Sequence, residues 1–283
     1  VIIATGARPI ELPLPGFDLA GVLDSTGALA LEALPERMLI VGGGVIGSEF
    51  AAIFAAFGVQ VTIVEMLDRL LPMMDQDVSE QIAKSIKHNN VEFHLNSRAQ
   101  KIEAQGDSLV VSVETPDGPE MFEVDKVLVS VGRRPNVEGL GLEAIGVELD
   151  RGIVVNERME TNAQDVYAIG DVTGQWWLAH VASHQGVVAA ENACGDFARM
   201  DYRSVPSCVF TSPEVASVGL TEAQAEEQGY DVLVGRFPFI ANGKALTYGE
   251  REGFVKIVSE AKYKEVLGLH IVGPHASDLI LEG

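Results

Sequence analysis

Met38-Leu39-Ile40-Val41-Gly42-Gly43-Gly44-Val45-Ile46-Gly47 is the stretch that decides the fold. The apolar run 38–41 reads as a short buried strand, and the glycines after it read as a tight turn. Residues 45–57 place small and apolar side chains at helical spacing and stop at Gly58, a residue suited to end a helix. A second run rich in β-branched residues, 59–65, closes on Glu65. Strand, G-x-G-x-x-G turn, helix, and a second strand ending in an acid are the parts of a dinucleotide-binding βαβ unit. The glycine pattern alone is a weak signal; its context makes it strong. Gly42 permits the tight turn, Gly44 lets a pyrophosphate approach the backbone, and Gly47 lets the helix pack closely. Gly43, Val45 and Ile46 complete the loop, and the unpaired N–H groups of the helix start favour a diphosphate. Glu65 is placed to accept hydrogen bonds from both hydroxyls of an adenosine ribose. It repels a 2′-phosphate, so NAD is expected over NADP, with Arg69 four residues on as the counter-argument. The competing readings are a ligand-free turn and, for Glu65, a solvated strand-end charge.

Outward from this unit, strand and helix alternate over 38–134. Asp77 or Ser79 is expected to cap a helix through His88, followed by a strand at 91–95. Antiparallel strands at 101–114 and 120–124 are expected around Pro116-Asp117-Gly118, then a buried strand at 126–131. From about Pro135 a second unit holds a strand at 166–169, the pair Gly170-Asp171, and a helix at about 179–194. That pair reads as a turn as readily as a site for sugar or polyol hydroxyls. From Tyr202 strands dominate, including 254–259 and 265–272, and a helix is expected from about Ala276. One helix, 221–228, opens with Thr221-Glu222-Ala223-Gln224, the spacing of a capping box. The fold class is α/β, and 283 residues suggest about two domains.

Hydrophobic residues make up 47% and charged residues 22%, which excludes a disordered or fibrous chain. With 41 acidic and 20 basic residues the net charge is −21, a field that opposes nucleic acid and anionic membrane surfaces. The apolar run at 38–47 is broken by glycines and is far short of a ~20-residue membrane span. Two cysteines, Cys194 and Cys208, make no disulfide framework and fit a reducing cytoplasm. A chain that opens on Val1-Ile2-Ile3 and stops on Leu281-Glu282-Gly283 is expected to be an interior piece of a longer protein.

Several segments carry a family resemblance, in order along the chain. They are Ile3-Ala4-Thr5-Gly6-Ala7-Arg8-Pro9, the loop from Gly42 to Glu49, Val131-Gly132-Arg133-Arg134-Pro135-Asn136, and residues 161–174. Leu178-Ala179-His180-Val181-Ala182-Ser183, residues 211–221 and residues 267–274 complete the set. The sequence resembles the flavin-dependent pyridine-nucleotide disulfide oxidoreductases, most of all their lipoamide branch. The resemblance implies a Rossmann-like NAD-binding domain inserted in an FAD-binding domain and followed by an α+β dimerisation domain. Residues 1–24 would hold the end of the FAD-binding domain and a linker, 25–134 bind NAD, 135–201 return to the FAD-binding domain, and 202–283 form an incomplete dimerisation domain. FAD contacts would come from Thr5, Gly6, Ala7, Gly170, Asp171, Trp177, Leu178, Ala179 and His180. NAD contacts would come from Gly42, Gly43, Gly44, Val45, Ile46, Gly47, Glu65, Ala99 and Gly132, with Glu49 near the nicotinamide. No metal is implied.

By the same resemblance, the parent protein passes electrons from dihydrolipoamide through a disulfide and FAD to NAD. It would do so as a cytoplasmic homodimer serving the lipoamide-bearing domains of 2-oxo acid dehydrogenase or glycine cleavage complexes. The chain departs from the family where it has no C-x-x-x-x-C pair, and Cys194 and Cys208 do not replace one. The family's first glycine loop and its His–Glu couple would lie outside 1–283, so the chain alone is expected to be inactive and to hold FAD weakly. Trp176-Trp177 stand where relatives often have Pro-Met. Cys208 reads as a small buried hydrophobe. His180 falls in the flavin-lining stretch, His184 on a helix and His270 in a strand, while His88, His94 and His275 are expected to face solvent. Val209, Phe210, Val215, Phe254, Val255, Ile257, Leu267 and Ile271 are expected to expose apolar surface. The alternatives are a related flavin oxidoreductase, such as a soluble transhydrogenase or mercuric reductase, and a non-catalytic NAD-binding module.

Overall fold

A computed structural model describes residues 1–283. The chain forms two compact units: unit 1 is 1–10 with 132–205, and unit 2 is 11–131 with 206–283.

Unit 2 is built on a five-stranded parallel sheet in the order Val22–Leu23, Lys126–Val129, Arg37–Val41, Gln60–Val64, Glu92–His94. Both faces of its central strand are covered, so Met38, Leu39 and Ile40 are all fully buried and the sequence shows an unbroken apolar run. Met38 and Ile40 pack on helices Val45–Ala56 and Gln76–His88. Leu39 and Val41 pack on a three-stranded antiparallel meander, Arg98–Gln105, Ser108–Thr115 and Gly118–Val124. The single strand expected at 101–114 is therefore two, broken where Gly106 turns the chain at φ +62°. The cap of the second helix also differs from expectation. It is Asp75, whose Oδ1 accepts the Asp77 N–H at 3.1 Å, because Asp77 and Ser79 already lie in the first turn.

Residues 11–24, from the stretch expected to end one domain and link to the next, pack in unit 2. Leu12, Leu14, Phe17, Leu19 and Val22 cover the meander side of the sheet, and the Ile102 N–H donates to the Pro15 carbonyl at 2.8 Å.

A second, antiparallel sheet completes unit 2 in the order Ser207–Val209, Glu214–Gly219, Val266–Gly273, Phe254–Glu260, Val232–Pro238. Its helix Glu222–Glu227 carries the expected capping box between Thr221 and Gln224. The expectation of an exposed apolar sheet is corrected in part. Val209, Val215 and Phe254 join the core that holds the Rossmann helices, and Ile271 is buried in a neighbouring cluster. Val255 and Leu267 are half-buried, while Phe210 and Ile257 remain exposed. Alternation along each strand sends one set of residues inward and leaves the other outside.

Unit 1 has only two-stranded ladders. Ile2–Ile3 runs parallel to Tyr167–Ala168, and Ala7–Pro9 runs antiparallel to Arg133–Pro135. Its core lies along one face of the helix Ala179–Ala193, where Val181, Val188 and Ala189 meet Met159, Tyr167 and Met200. No helix in either unit is long and apolar enough to cross a membrane.

Candidate functional site

The glycine loop of unit 2 shows why each glycine is there. A Cβ on Gly42, at φ +107°, would stand 2.6 Å from the Ser130 carbonyl oxygen. A Cβ on Gly47 would stand 1.9 Å from the Gly42 carbonyl oxygen, so the helix is seated directly on the turn. A Cβ on Gly44 would meet nothing within 4 Å, which leaves open space in front of the helix start. Gly44 caps the helix Val45–Ala56 with no side-chain hydrogen bond, so the first-turn N–H groups keep their capacity for an anion.

Glu65 continues the strand Gln60–Val64 and is buried beside this loop. Its Oε2 accepts the Gly43 N–H at 2.5 Å and its Oε1 accepts the Leu67 N–H at 2.8 Å. A carboxylate has about four acceptor positions, so about two remain for a pair of hydroxyl donors. Arg69 turns into its own loop and donates to the Pro72 carbonyl at 3.2 Å. Ala99 lies at the irregular start of the strand Arg98–Gln105 and packs against the apolar cluster that includes Val41 and Val64, the residues just before Gly42 and Glu65.

Glu49 sits one turn into the same helix, and its Oε1 accepts the Phe210 N–H at 2.8 Å. Burial pushes its carboxyl above the ordinary glutamate value, and the Phe210 N–H offsets only part of that. Gly132, the last NAD candidate, belongs to unit 1, where it adopts φ +120° and accepts the Ile10 N–H at 3.1 Å.

The flavin-side candidates are all in unit 1. Thr5 and Gly6 are tied to Asn136 from three directions, at 2.7 to 2.9 Å, and Arg133 donates to the Ala7 carbonyl at 2.7 Å. Gly170 adopts φ +70° and its N–H donates to the fully buried Gln185 Oε1 at 2.6 Å. Asp171 follows with a half-buried side chain 4.0 Å from Arg133 Nε. Leu178 caps the helix Ala179–Ala193 without a side-chain hydrogen bond, and Trp177, Ala179 and His180 are exposed at its start. Trp176 instead stacks flat on Tyr202, ring centres 5.3 Å apart, and Tyr202 accepts from Gln185 at 2.8 Å.

Sequence reasoning passed over the most charged place in the interior. Lys256 Nζ is paired with Asp75, Asp77 and Glu222 at 2.9, 2.9 and 2.7 Å. Burial alone would lower its pKa, but hydrogen bonds donated to Glu222, Asp75 and Asp77 outweigh it and hold the ammonium above its ordinary value. The signal was present: Phe254, Lys256 and Val258 alternate onto one buried face, and a lysine on such a face needs a partner.

Among the histidines, His270 is buried between the Ser217 hydroxyl at 3.1 Å and the Leu220 carbonyl at 3.0 Å. A carbonyl only accepts, so Nε2 carries the proton, and burial keeps the ring neutral by lowering its pKa. His94 is not at the surface as expected; it is half-buried with its ring edge-on to Phe122. Cys194 is exposed in unit 1, while Cys208 is half-buried in unit 2 with its thiol pushed up by burial and by Glu214.

Both units match known protein families over most of the chain. The profile of the pyridine nucleotide-disulphide oxidoreductases covers residues 1–186, and that of their dimerisation domain covers 205–283. The chain belongs to the pyridine nucleotide-disulphide oxidoreductase family. It is 43% identical, over its whole length, to a dihydrolipoyl dehydrogenase of Bacillus subtilis, and 46% identical over 99% of its length to that of Halobacterium salinarum. It spans 60% of the length of each. Among solved structures, it superposes on LpdA from Mycobacterium tuberculosis with TM-score 0.91 at 34% identity, covering 100% of this chain and 61% of that one. The HOCl-induced flavoprotein disulfide reductase RclA from Escherichia coli gives 0.90 at 32%, covering 99% and 65%.

Proposed function

We propose that this chain is the NAD-binding and flavin-side portion of a dihydrolipoyl dehydrogenase, which oxidises dihydrolipoamide with NAD. The observation that carries the nucleotide half is Glu65: a buried carboxylate hydrogen-bonded to Gly43, with acceptor capacity left beside an uncapped helix start. In this reading the Gly44 space admits the pyrophosphate, the first-turn N–H groups bind it, and Glu65 takes the two ribose hydroxyls. A 2′-phosphate would bring negative charge against that carboxylate, so NAD is preferred.

The residues present also suit a flavin. Asp171 offers a carboxylate to ribityl hydroxyls, Arg133 and Gln185 fix the turns on either side, and Leu178 begins the next helix without a side-chain cap. When bound, FAD would relay electrons between a dithiol and the nicotinamide. Glu49, held by Phe210 and drawn toward its neutral form, would orient the nicotinamide end. Residues 205–283 would form the homodimer, lipoamide-bearing domains would be the partners, and the cytoplasm the location.

Titration of the 283-residue chain with NADH and NADPH tests the nucleotide half. NADH is expected to bind more tightly, and Glu65→Ala to erase the preference; equal or tighter NADPH binding by the unmodified chain would sink the assignment. The flavin half is tested by flavin absorbance and lipoamide-dependent NADH turnover. This chain is expected to hold FAD weakly and to show no turnover, because it carries no paired thiol for the reaction.

A further inference from the structure

Lys256 has three ammonium protons and no acceptor, and each proton has a carboxylate partner, so the group is saturated. Lys256 and Asp75 are both only 2% exposed. Apolar residues of similar volume would hold two elements together at least as well as a buried ion pair, so the directional geometry of the cluster calls for a use.

That geometry leads to the glycine loop. Asp75, gripped by Lys256, caps the helix Gln76–His88. In its first turn, the buried Ser79 hydroxyl donates to the Leu71 carbonyl at 3.1 Å. Leu71 is a buried, bulky residue at φ +50°, a backbone state that persists only where neighbours over-determine it. On its other side, the Leu71 N–H donates to the Gly43 carbonyl at 2.9 Å. Leu70 fills the space a Cβ on Gly43 would need, with its Cδ2 2.5 Å from that point.

We infer that Lys256, on the C-terminal sheet, is a positioning residue for the dinucleotide loop, acting through Asp75, Ser79 and Leu71 on the Gly43 peptide. The inference rests on the reading of residues 42–47 as a dinucleotide loop. It gives a side chain outside the βαβ unit control over the direction of the loop that receives the diphosphate.

The test uses the 283-residue chain with Lys256→Met, Lys256→Arg and Ser79→Ala, read by NADH titration and by amide exchange at Leu71, with buried Val111 as control. Lys256→Met is expected to weaken NADH about tenfold and to speed Leu71 exchange while Val111 stays protected. Ser79→Ala, which leaves the ion cluster whole, is expected to weaken NADH about threefold, and Lys256→Arg to restore most of the affinity. A folded Lys256→Met protein with unchanged NADH affinity and unchanged Leu71 exchange overturns the inference, however far its melting temperature falls. If that variant does not fold, Ser79→Ala decides, and unchanged Leu71 exchange there overturns it. An unmodified chain that binds no NADH removes the reading of the loop instead, and the exchange arm still decides whether Lys256 governs Leu71.

Discussion

The two units solve a similar problem with different materials. In unit 2 the glycine turn hangs from the centre of a five-stranded sheet, and its shape is set by contacts closer than a side chain allows. In unit 1 the turns at Thr5 and Gly170 hang from two-stranded ladders, and polar side chains set their shape: Asn136, Arg133 and Gln185. A backbone held by packing fails when atoms are added, whereas one held by hydrogen bonds fails when atoms are removed.

The largest effect expected from that difference is at Gly47. Gly47→Ala drives a methyl into the Gly42 carbonyl and is expected to cost about 3 kcal/mol, with loss of NADH binding. Gly44→Ala, on the same loop but facing open space, should leave the melting temperature nearly unchanged and weaken NADH alone. Equal stability of the two variants would break the comparison.

Next is Gln185→Leu in unit 1, which strands the buried Gly170 N–H and is expected to cost about 2 kcal/mol. Amide exchange should report the loss at Tyr167 and Gly170 and leave Ile40 protected.

A third effect is pH-dependent. Burial would raise the Asp75 pKa, but the Lys256 hydrogen bond and charge outweigh burial and hold it below the ordinary aspartate value. A depressed carboxylate stabilises the fold above its unfolded pKa, and that contribution is lost as pH falls through the folded value. Melting of unit 2 should therefore drop as pH falls below the ordinary aspartate value, and Asp75→Asn should flatten the drop.

The smallest effect is at Glu49, where burial raises the pKa. There the sign reverses: the unfolded carboxyl ionises first, so the folded state loses stability as pH rises from the ordinary glutamate value toward the raised folded one. Glu49→Gln should raise the neutral-pH melting temperature by about 1 °C, and the gain should vanish in acid.

The βαβ unit was legible because its information is local. Gly42, Gly44 and Gly47 encode turn, approach and packing at fixed spacing, and Glu65 follows from strand length. The Thr221–Gln224 box was legible for the same reason. Asp75 was missed as a cap because three candidates within five residues compete for one helix start, and the contacts of Asp75 with Lys256 and of Ser79 with Leu71 settle it. The placement of residues 11–24 depends on Ile102 pairing with Pro15, which no local pattern announces. His94 was misplaced because its ring partner, Phe122, comes from a distant strand of the meander.

The chain leaves unit 1 after residue 10, returns at residue 132 and leaves again after residue 205. This itinerary sets an order of assembly. The pairing of Ile2 with Tyr167 closes a loop that contains the whole of residues 11–131, and closing long loops in a disordered chain is entropically unfavourable and slow. The hydrogen bond between Ile10 and Gly132 shows that the excursion begins and ends at one point, so folding of residues 11–131 itself brings those ends together. On a ribosome, the βαβ unit can form as soon as it emerges, whereas the ladder between Ile2–Ile3 and Tyr167–Ala168 must wait for the later strand. The strand Ile2–Ile3 is thus paired with Tyr167–Ala168 only after the stretch between them has been made.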